Sequence, residues 1–198
     1  MHKLILASQS PRRRDLLTDA GFSFRVDSVK LSEIIDKNLN PRAVAESLAR
    51  AKAEAYVKEA KPLKNNGFLI LSADTIVVLD GAIMGKPKNS PEAQLFLRQL
   101  SAKTHSVITG VCVYDVDNCR SIVESDETLV TFRPLTEDEI LAYVQSGEPM
   151  DKAGAYAIQG EGGKFVMKTE GSYSNIVGLP IELFKKLVKD NGWNFDRQ

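Results

Sequence analysis

A single carboxylate interrupts an apolar stretch of the chain, and this contrast points to chemistry. The tetrapeptides Phe68–Leu71 and Ile76–Leu79 are wholly apolar, and Asp74 lies between them. Burying an ionised carboxylate in such surroundings costs free energy unless a cation or hydrogen-bond donors meet it. Asp74 is therefore predicted to be a metal ligand or a general base. The alternative interpretation is an aspartate that ends one strand and caps a turn before the next.

A second candidate site follows the first apolar run of the chain. Ser8 and Ser10 offer hydroxyl donors, Pro11 suits a first helical position, and Arg12 and Arg13 follow directly. Serine as N-cap and proline behind it predict the start of a helix. The amides and dipole at such a start attract anions, and guanidinium groups match phosphate oxygens. The segment predicts a phosphate site, with a capped helix and a solvated basic face as the alternative.

Two lysines are further candidates for a site that holds phosphate. Lys52 borders the apolar stripe of a helix predicted over Pro41–Glu59, and Lys86 follows Gly85 ahead of another predicted helix. Either lysine is equally explained as a solvated side chain whose stem packs on apolar surface.

The segment from Asp151 to Gly163 is rich in small residues, which let a backbone approach a ligand closely. Within it, the Gln159 side chain offers both a donor and an acceptor, as the recognition of a base edge requires. The segment matches neither the P-loop pattern nor GxGxxG. A flexible loop is the alternative interpretation.

The predicted elements that must position these residues indicate an α/β fold. Strands predicted at Lys3–Ala7, Phe22–Val26 and Phe68–Leu79 alternate with helices, and a long hairpin follows over Thr104–Val116 and Ser121–Phe132. This order predicts a mixed, strongly bent sheet rather than a purely parallel one. The other predicted features are an Asp80-Gly81 hairpin turn, helices starting at Ser90-Pro91 and at the Thr136/Glu139 capping box, a helix over Ile181–Lys189, and an irregular segment over 146–163.

Length and composition exclude several classes of protein. The 198 residues fit one domain, or two lobes that share a cleft. Lys plus Arg equals Asp plus Glu at 26 each, and aromatic residues make up 7%, so a nucleic-acid partner is not expected. Two cysteines, Cys112 and Cys119, give neither a disulfide framework nor a thiolate metal site. Without a signal segment or a span of roughly 20 apolar residues, the expected location is the cytoplasm, with no membrane partner.

Five segments, taken in order, resemble the Maf (septum formation inhibitor) family. Each is common alone, but the five together at this spacing are improbable by chance, and they cover nearly the whole chain. The segments are Ala7-Ser8-x-Ser10-Pro11-Arg12-Arg13, Leu48-Ala49-x-x-Lys52-Ala53, Ala73-Asp74-Thr75 ahead of Gly85-Lys86-Pro87, Asp151-Lys152-Ala153-Gly154-Ala155-Tyr156-x-Ile158-Gln159-Gly160, and Val177-Gly178-Leu179-Pro180.

The resemblance implies a fold and an activity. The fold is a single domain over 1–198 with an elongated mixed sheet, flanking helices and a deep cleft between two lobes, similar to inosine triphosphatases. The activity is the hydrolysis of a nucleoside triphosphate to the monophosphate and pyrophosphate, with a divalent metal such as Mg²⁺ or Mn²⁺. Asp74-Thr75 with Ile158-Gln159-Gly160 resembles the branch that acts on dTTP and UTP. The alternatives are 7-methyl-GTP, CTP or a modified nucleotide, or a non-catalytic regulator of cell division. A homodimer is also expected.

The same resemblance implies roles for single residues. Asp74 matches the proton acceptor and a metal ligand, and Glu33 matches a second acidic position at the metal. The positions that match those holding the triphosphate are Ser8, Arg12, Arg13, Lys52 and Lys86. The positions associated with substrate choice are Arg12, Thr75 and Gln159.

Overall fold

The computed structural model describes residues 1–28, 36, 38–61 and 66–195, so Glu33 lies outside the described residues. The strands are β1 (Lys3–Ala7), β2 (Phe24–Asp27), β3 (Phe68–Leu79), β4 (Ala82–Met84), β5 (Thr104–Asp115), β6 (Arg120–Phe132) and β7 (Val166–Glu170). The helices are α1 (Pro11–Asp19), α2 (Pro41–Ala60), α3 (Ser90–Leu100), α4 (Glu137–Gln145), α5 (Tyr173–Val177) and α6 (Ile181–Asp190). Short 3₁₀ turns cover Glu148–Asp151, Ala153–Ala155 and Glu161–Phe165.

Within the described residues, seven strands form one mixed sheet in the order β2-β1-β3-β5-β6-β7, with β4 paired to β3 outside this path. Strand β1 pairs in parallel with both β2 and β3. Strand β4 runs antiparallel to β3, and β7 runs antiparallel to β6. The α/β class with a mixed sheet and flanking helices is therefore confirmed.

The chain divides into two compact units. The first comprises Met1–Asp74, Thr109–Asp126 and Gly178–Gln198, and the second comprises Thr75–Ile108 and Glu127–Val177. Each unit has its own hydrophobic core. No helix in the described part of the chain is long and apolar enough to cross a membrane.

The first unit buries side chains on both faces of its strands. On one face, alternate residues of β1, β3 and β5 pack with Leu17 of α1 and Phe184 of α6. On the other face, Ile5 and Ile70 pack with Ala49 and Ala53 of α2. Successive side chains of a strand point to opposite faces. The residues of β3 at even positions after Ile70 therefore face α2, and Asp74 is one of them.

The second unit is built around aromatic rings. Phe132 of β6 packs edge-on against His105, Tyr156 and Phe165, and Phe165 in turn packs against Tyr143 of α4. Side chains of α3 and β4 complete this core. The segment around Tyr156, predicted to be irregular, is thus folded against a core by its aromatic residues.

Local capping signals predicted most helix starts correctly. Ser10 caps α1 by accepting a hydrogen bond from the Arg13 amide, and Thr136 with Glu139 forms the predicted capping box. At α3 the prediction was wrong by one residue, because Asn89 rather than Ser90 accepts the bond from Glu92 N, at 2.9 Å.

The turn between β3 and β4 is confirmed, since Asp80 and Gly81 both have positive φ, 51° and 81°, as mirror-image hairpin turns require.

Strand β3 is one continuous strand with Asp74 in its interior. The alternative interpretation, in which Asp74 ends a strand and caps a turn, is therefore wrong. Strand β7 and the short helix α5 were not predicted.

Candidate active site

The Asp74 carboxylate is buried and meets an ammonium group from α2. Its side chain is 9% exposed, and Oδ1 accepts a hydrogen bond from Lys52 Nζ, whose side chain is 22% exposed. This cation reduces the cost of placing a carboxylate in an apolar strand. The interpretation of Lys52 as a solvated side chain is therefore wrong.

Close packing of α2 on the strands brings Lys52 to Asp74. Ser72, two residues before Asp74 in β3, donates its hydroxyl hydrogen to the Ala49 carbonyl of α2, at 2.6 Å. In β5, a Cβ built on Gly110 would lie only 2.3 Å from the Ala45 carbonyl oxygen. The lack of a side chain at Gly110 thus lets the helix approach the sheet, since glycine in a strand permits close contact by another backbone.

The loop between β1 and α1 is ordered by Ser8 and Arg13. The Ser8 hydroxyl is buried and accepts hydrogen bonds from Ser10 N at 3.2 Å and Arg13 Nη1 at 3.3 Å. Arg13 Nε also donates to the Gly178 carbonyl at 2.7 Å, which connects α1 to the segment before α6. Arg13 therefore shapes the loop directly, beyond its predicted contact with phosphate.

The neighbouring arginines differ in their surroundings. The exposed Arg14 forms an ion pair with Asp15, which offsets its charge near the start of the helix. Arg12 is half-buried. Helix α1 begins at Pro11, which has no N–H, and Ser10 accepts hydrogen bonds from the Arg13 and Arg14 amides next to the loop that Ser8 shapes. The positive end of the α1 dipole and the Arg12 guanidinium provide positive potential at one end of β1.

The strand register places the loop after β1 beside the part of β3 that carries Asp74. Strands β1 and β3 are parallel neighbours, with Leu6 opposite Leu71. The chain leaves β1 after Ala7, while β3 continues through Asp74. In open α/β sheets, loops that follow the carboxyl ends of strands bind ligands, and the loop after β1 is such a loop. In the first unit, Arg13 thus bonds to Ser8 after β1, and Lys52 bonds to Asp74 in the neighbouring strand β3.

The remaining predicted residues belong to the second unit. Thr75 is half-buried directly after Asp74, whereas Lys86 and Gln159 are exposed. The backbone before Lys86 is fixed by a hydrogen bond from Gly154 N to the Gly85 carbonyl, at 3.1 Å. Gly154 has a φ of +66°, and a Cβ there would lie 2.9 Å from Val77 side-chain atoms. Its glycine is therefore required both by conformation and by space.

Three contributors to the site were missed by sequence reasoning. The Gly178 carbonyl lay within a recognised motif, but nothing indicated that it accepts from Arg13. The Ser72 hydroxyl and the close approach at Gly110 gave weaker signals, a serine and a glycine inside strand patterns. A serine or glycine inside a strand indicates that another backbone lies close by, but it does not indicate which segment of the chain that backbone belongs to.

The described part of the chain offers few donors for a metal ion. Among the described residues, no group of three or more His, Cys, Asp or Glu side chains is placed to hold one. Asp74 is a buried carboxylate in the interior of β3, and Mg²⁺ commonly binds through one or two carboxylates together with substrate phosphates. The described residues thus fit a divalent ion that shares its ligands with a bound triphosphate. Glu33 stays a prediction.

A comparison with known protein families shows which family the chain belongs to. The Maf family, described as Maf-like protein, matches residues 3–191. The chain belongs to the Maf family. The match includes the β1–α1 loop, Lys52, Asp74 and the glycine-rich segment, so the five motifs of the resemblance lie within it.

Curated relatives align along almost their whole length. A dTTP/UTP pyrophosphatase of Bdellovibrio bacteriovorus is 49% identical over 93% of this chain and 96% of its own. A dTTP/UTP pyrophosphatase of Caldicellulosiruptor saccharolyticus is 44% identical over 98% of this chain and 97% of its own. Among solved structures, a nucleoside-triphosphatase / dITP/XTP pyrophosphatase of Mycobacterium abscessus is similar at a TM-score of 0.42 and 15% identity, over 67% of this chain and 75% of that one.

Proposed function

We propose that this protein hydrolyses dTTP and UTP to the corresponding monophosphate and pyrophosphate. The observation that carries the proposal is the near-complete alignment with dTTP/UTP pyrophosphatases at 44% and 49% identity. The buried Asp74–Lys52 pair supports the choice of an enzyme over a binding protein. A protein that only held an anionic triphosphate would gain nothing from a buried carboxylate beside it.

In the proposed reaction, Asp74 is the general base. A water molecule attacks the α-phosphorus, Asp74 accepts the proton of that water, and the bond from the α-phosphorus to the bridging oxygen of the β-phosphate breaks. Pyrophosphate leaves with the electron pair of that bond. A carboxylate held in place by Lys52 and enclosed by strand β3 is oriented before the substrate arrives, which lowers the entropy cost of reaching the transition state.

Cationic and hydroxyl groups of the first unit bind the phosphates in this proposal. Arg12 and the positive end of the α1 dipole attract the anion, Ser8 and Arg13 hold the loop in shape, and Lys52 is shared between Asp74 and the triphosphate. Charges fixed where negative charge develops stabilise the transition state more than they stabilise the free substrate. Lys86, exposed at the end of a fixed backbone segment, is proposed to contact the leaving pyrophosphate.

A divalent cation, Mg²⁺ or Mn²⁺, is part of the proposal. Asp74, with Glu33 as second candidate, would hold it together with substrate phosphates. When bound, such an ion neutralises phosphate charge and lowers the pKa of a coordinated water.

Substrate choice is assigned to Arg12, Thr75 and Gln159. The Gln159 amide is exposed on a turn and offers a donor and an acceptor, which suits the uracil or thymine edge.

The test is pyrophosphate release with Mg²⁺ or Mn²⁺ from dTTP, UTP, CTP, GTP, ITP and 7-methyl-GTP. We expect turnover led by dTTP and UTP. Asp74→Asn should lower kcat by roughly 10²–10⁴-fold, the usual contribution of a general base. The matched control is Asp80→Asn, the same substitution in the exposed turn directly after β3, which should leave kcat within about twofold because such surface changes are usually small.

Two outcomes would contradict parts of this proposal. Near-normal activity of Asp74→Asn at saturating metal would exclude Asp74 as the base. No pyrophosphate from any substrate would favour a nucleotide-binding regulator of cell division, and turnover led by 7-methyl-GTP or CTP would overturn the substrate assignment.

We further propose that the protein acts in the cytoplasm as a homodimer. Two free thiols, Cys112 and Cys119, support a reducing compartment. The homodimer rests on the family resemblance, and light scattering of the purified protein tests it.

A further inference from the structure

Gln159 lies on a tight turn of the second unit. The turn spans Ala157–Gly160 and is closed by a hydrogen bond from Gly160 N to the Ala157 carbonyl, at 3.2 Å. Ile158 and Gln159 are its two central residues. The direction of the Gln159 side chain therefore depends on how both ends of this turn are held.

The first end of the turn is held by Tyr143 of α4. The Tyr143 hydroxyl accepts a hydrogen bond from Ala157 N at 3.2 Å and donates to Glu148 Oε1 at 2.8 Å. The ring is buried and packs edge-on against Phe165. Burial is the larger and the hydrogen bond to Glu148 the smaller of two effects that raise the pKa of the Tyr143 hydroxyl. The hydroxyl therefore stays protonated and able to donate.

The second end of the turn is held by Glu148. Its Oε2 accepts from Glu161 N at 3.1 Å, and its Oε1 accepts from Gly162 N at 3.3 Å. Burial alone would raise the pKa of Glu148, but the hydrogen bonds from Tyr143 and the two amides outweigh it and lower that pKa. The carboxylate is therefore ionised at neutral pH and acts as an acceptor on every side.

Two glycines allow this carboxylate and hydroxyl to approach the backbone. A Cβ on Gly160 would lie 2.3 Å from Glu148 Oε1, and a Cβ on Gly162 would lie 2.6 Å from the Tyr143 hydroxyl. Neither glycine has a positive φ here, so space rather than conformation explains them. The glycine content of this segment is thus matched to the Tyr143–Glu148 pair.

We propose that Tyr143 and Glu148 are positioning residues for base recognition, because they fix both ends of the turn that presents Gln159. This inference rests on the proposed function for the identity of the base. It assigns two residues outside the predicted site to substrate selection, without direct contact with the nucleotide.

The test compares Glu148→Gln and Tyr143→Phe with wild type in the turnover of dTTP and UTP. Glutamine keeps the shape of Glu148 but turns an NH₂ toward backbone N–H donors. We expect KM to rise by about tenfold, the effect of losing one or two hydrogen bonds to the base, with kcat within about threefold. Glu137→Gln is the matched control, because it is the same substitution on α4, the helix that carries Tyr143, at a glutamate that forms an exposed pair with Arg98. Its KM should stay within about twofold.

A double-mutant comparison separates positioning from a merely structural role. If Glu148 acts through Gln159, then Glu148→Gln should raise KM in the wild-type background but have no further effect beyond about twofold in Gln159→Ala. An equal rise in both backgrounds would overturn the proposal, as would a wild-type KM in both Glu148→Gln and Tyr143→Phe. If thermal unfolding shows that Glu148→Gln does not fold, Tyr143→Phe combined with Gln159→Ala gives the same comparison.

Failure of the proposed function is distinguished by a measurement that needs no turnover. If wild type releases no pyrophosphate from any triphosphate, the proposed function fails, and hydrogen exchange at Ala157, Glu161 and Gly162 then tests the positioning role. We expect exchange of these amides to accelerate by about tenfold or more in Glu148→Gln and to stay unchanged in Glu137→Gln. Wild-type exchange rates in Glu148→Gln would overturn the inference.

Discussion

Replacing Lys52 by methionine should destabilise the first unit by leaving the Asp74 carboxylate without its ammonium partner. Methionine keeps an unbranched stem of similar length, so the change removes mainly charge and hydrogen bonding. Removing one partner of a fully buried ion pair typically costs about 3–5 kcal/mol. Here the side chains are 22% and 9% exposed, so water reaches the lysine end. Allowing for this partial solvation, we expect a loss of about 2–3 kcal/mol in the free energy of unfolding at neutral pH.

The double variant Lys52→Met/Asp74→Asn should recover most of this loss. With the buried charge gone, the remaining amide and thioether cost little, and buried pairs are often replaced without net loss when both partners change. We therefore expect a coupling energy of about 2 kcal/mol between the two positions, within the range for contacting residues. Catalysis should stay low in the double variant, since the proposed base is absent.

The assay is urea unfolding of wild type, both single variants and the double variant. Because the chain has two compact units, the transitions are followed with probes in each unit and fitted separately where they do not coincide. If Lys52→Met cost less than about 0.5 kcal/mol, or if the two single effects simply added, Lys52 would not be what allows Asp74 to stay buried. The proposed sharing of Lys52 between carboxylate and phosphate would then lose its basis.

Two further predictions concern the surroundings of the site and the second core. Gly110→Ala should cost about 1–3 kcal/mol or more and lower kcat by moving α2 and Lys52, because its Cβ would lie 2.3 Å from a backbone oxygen; unchanged urea midpoint and kcat would contradict this. Burial lowers the pKa of His105 to about 4, so the folded protein keeps it neutral while the unfolded chain, with a pKa of about 6.5, takes up a proton. Its contribution to stability is thus complete above about pH 6.5 and falls by roughly 3 kcal/mol toward pH 4. Urea unfolding at pH 7 and 4.5 should show a smaller loss in His105→Gln, and equal losses in both proteins would refute the assignment.

Local signals in the sequence determined the elements and the chemical character of the candidate site. Ser10-Pro11 specified the start of α1, Asp80-Gly81 specified a mirror-image turn, and Thr136 with Glu139 specified a capping box. These features depend on interactions within a few residues, so they are visible without knowledge of the fold. The carboxylate at Asp74 was also conspicuous, because an apolar strand makes its burial costly.

Only the tertiary structure decided what those residues contact. Lys52 meets Asp74 because α2 lies on the face of β3 that carries even positions, and nothing in the sequence near Lys52 specifies this. Likewise Arg13 donates to Gly178, which is distant along the chain, and Glu148 meets amides that it reaches only when its own 3₁₀ turn and the glycine-rich turn pack together. Sequence periodicity indicates which face of each helix or strand is buried. Which buried faces pack against each other follows from the packing of the whole core, where space must be filled and every buried polar group must find a hydrogen-bond partner.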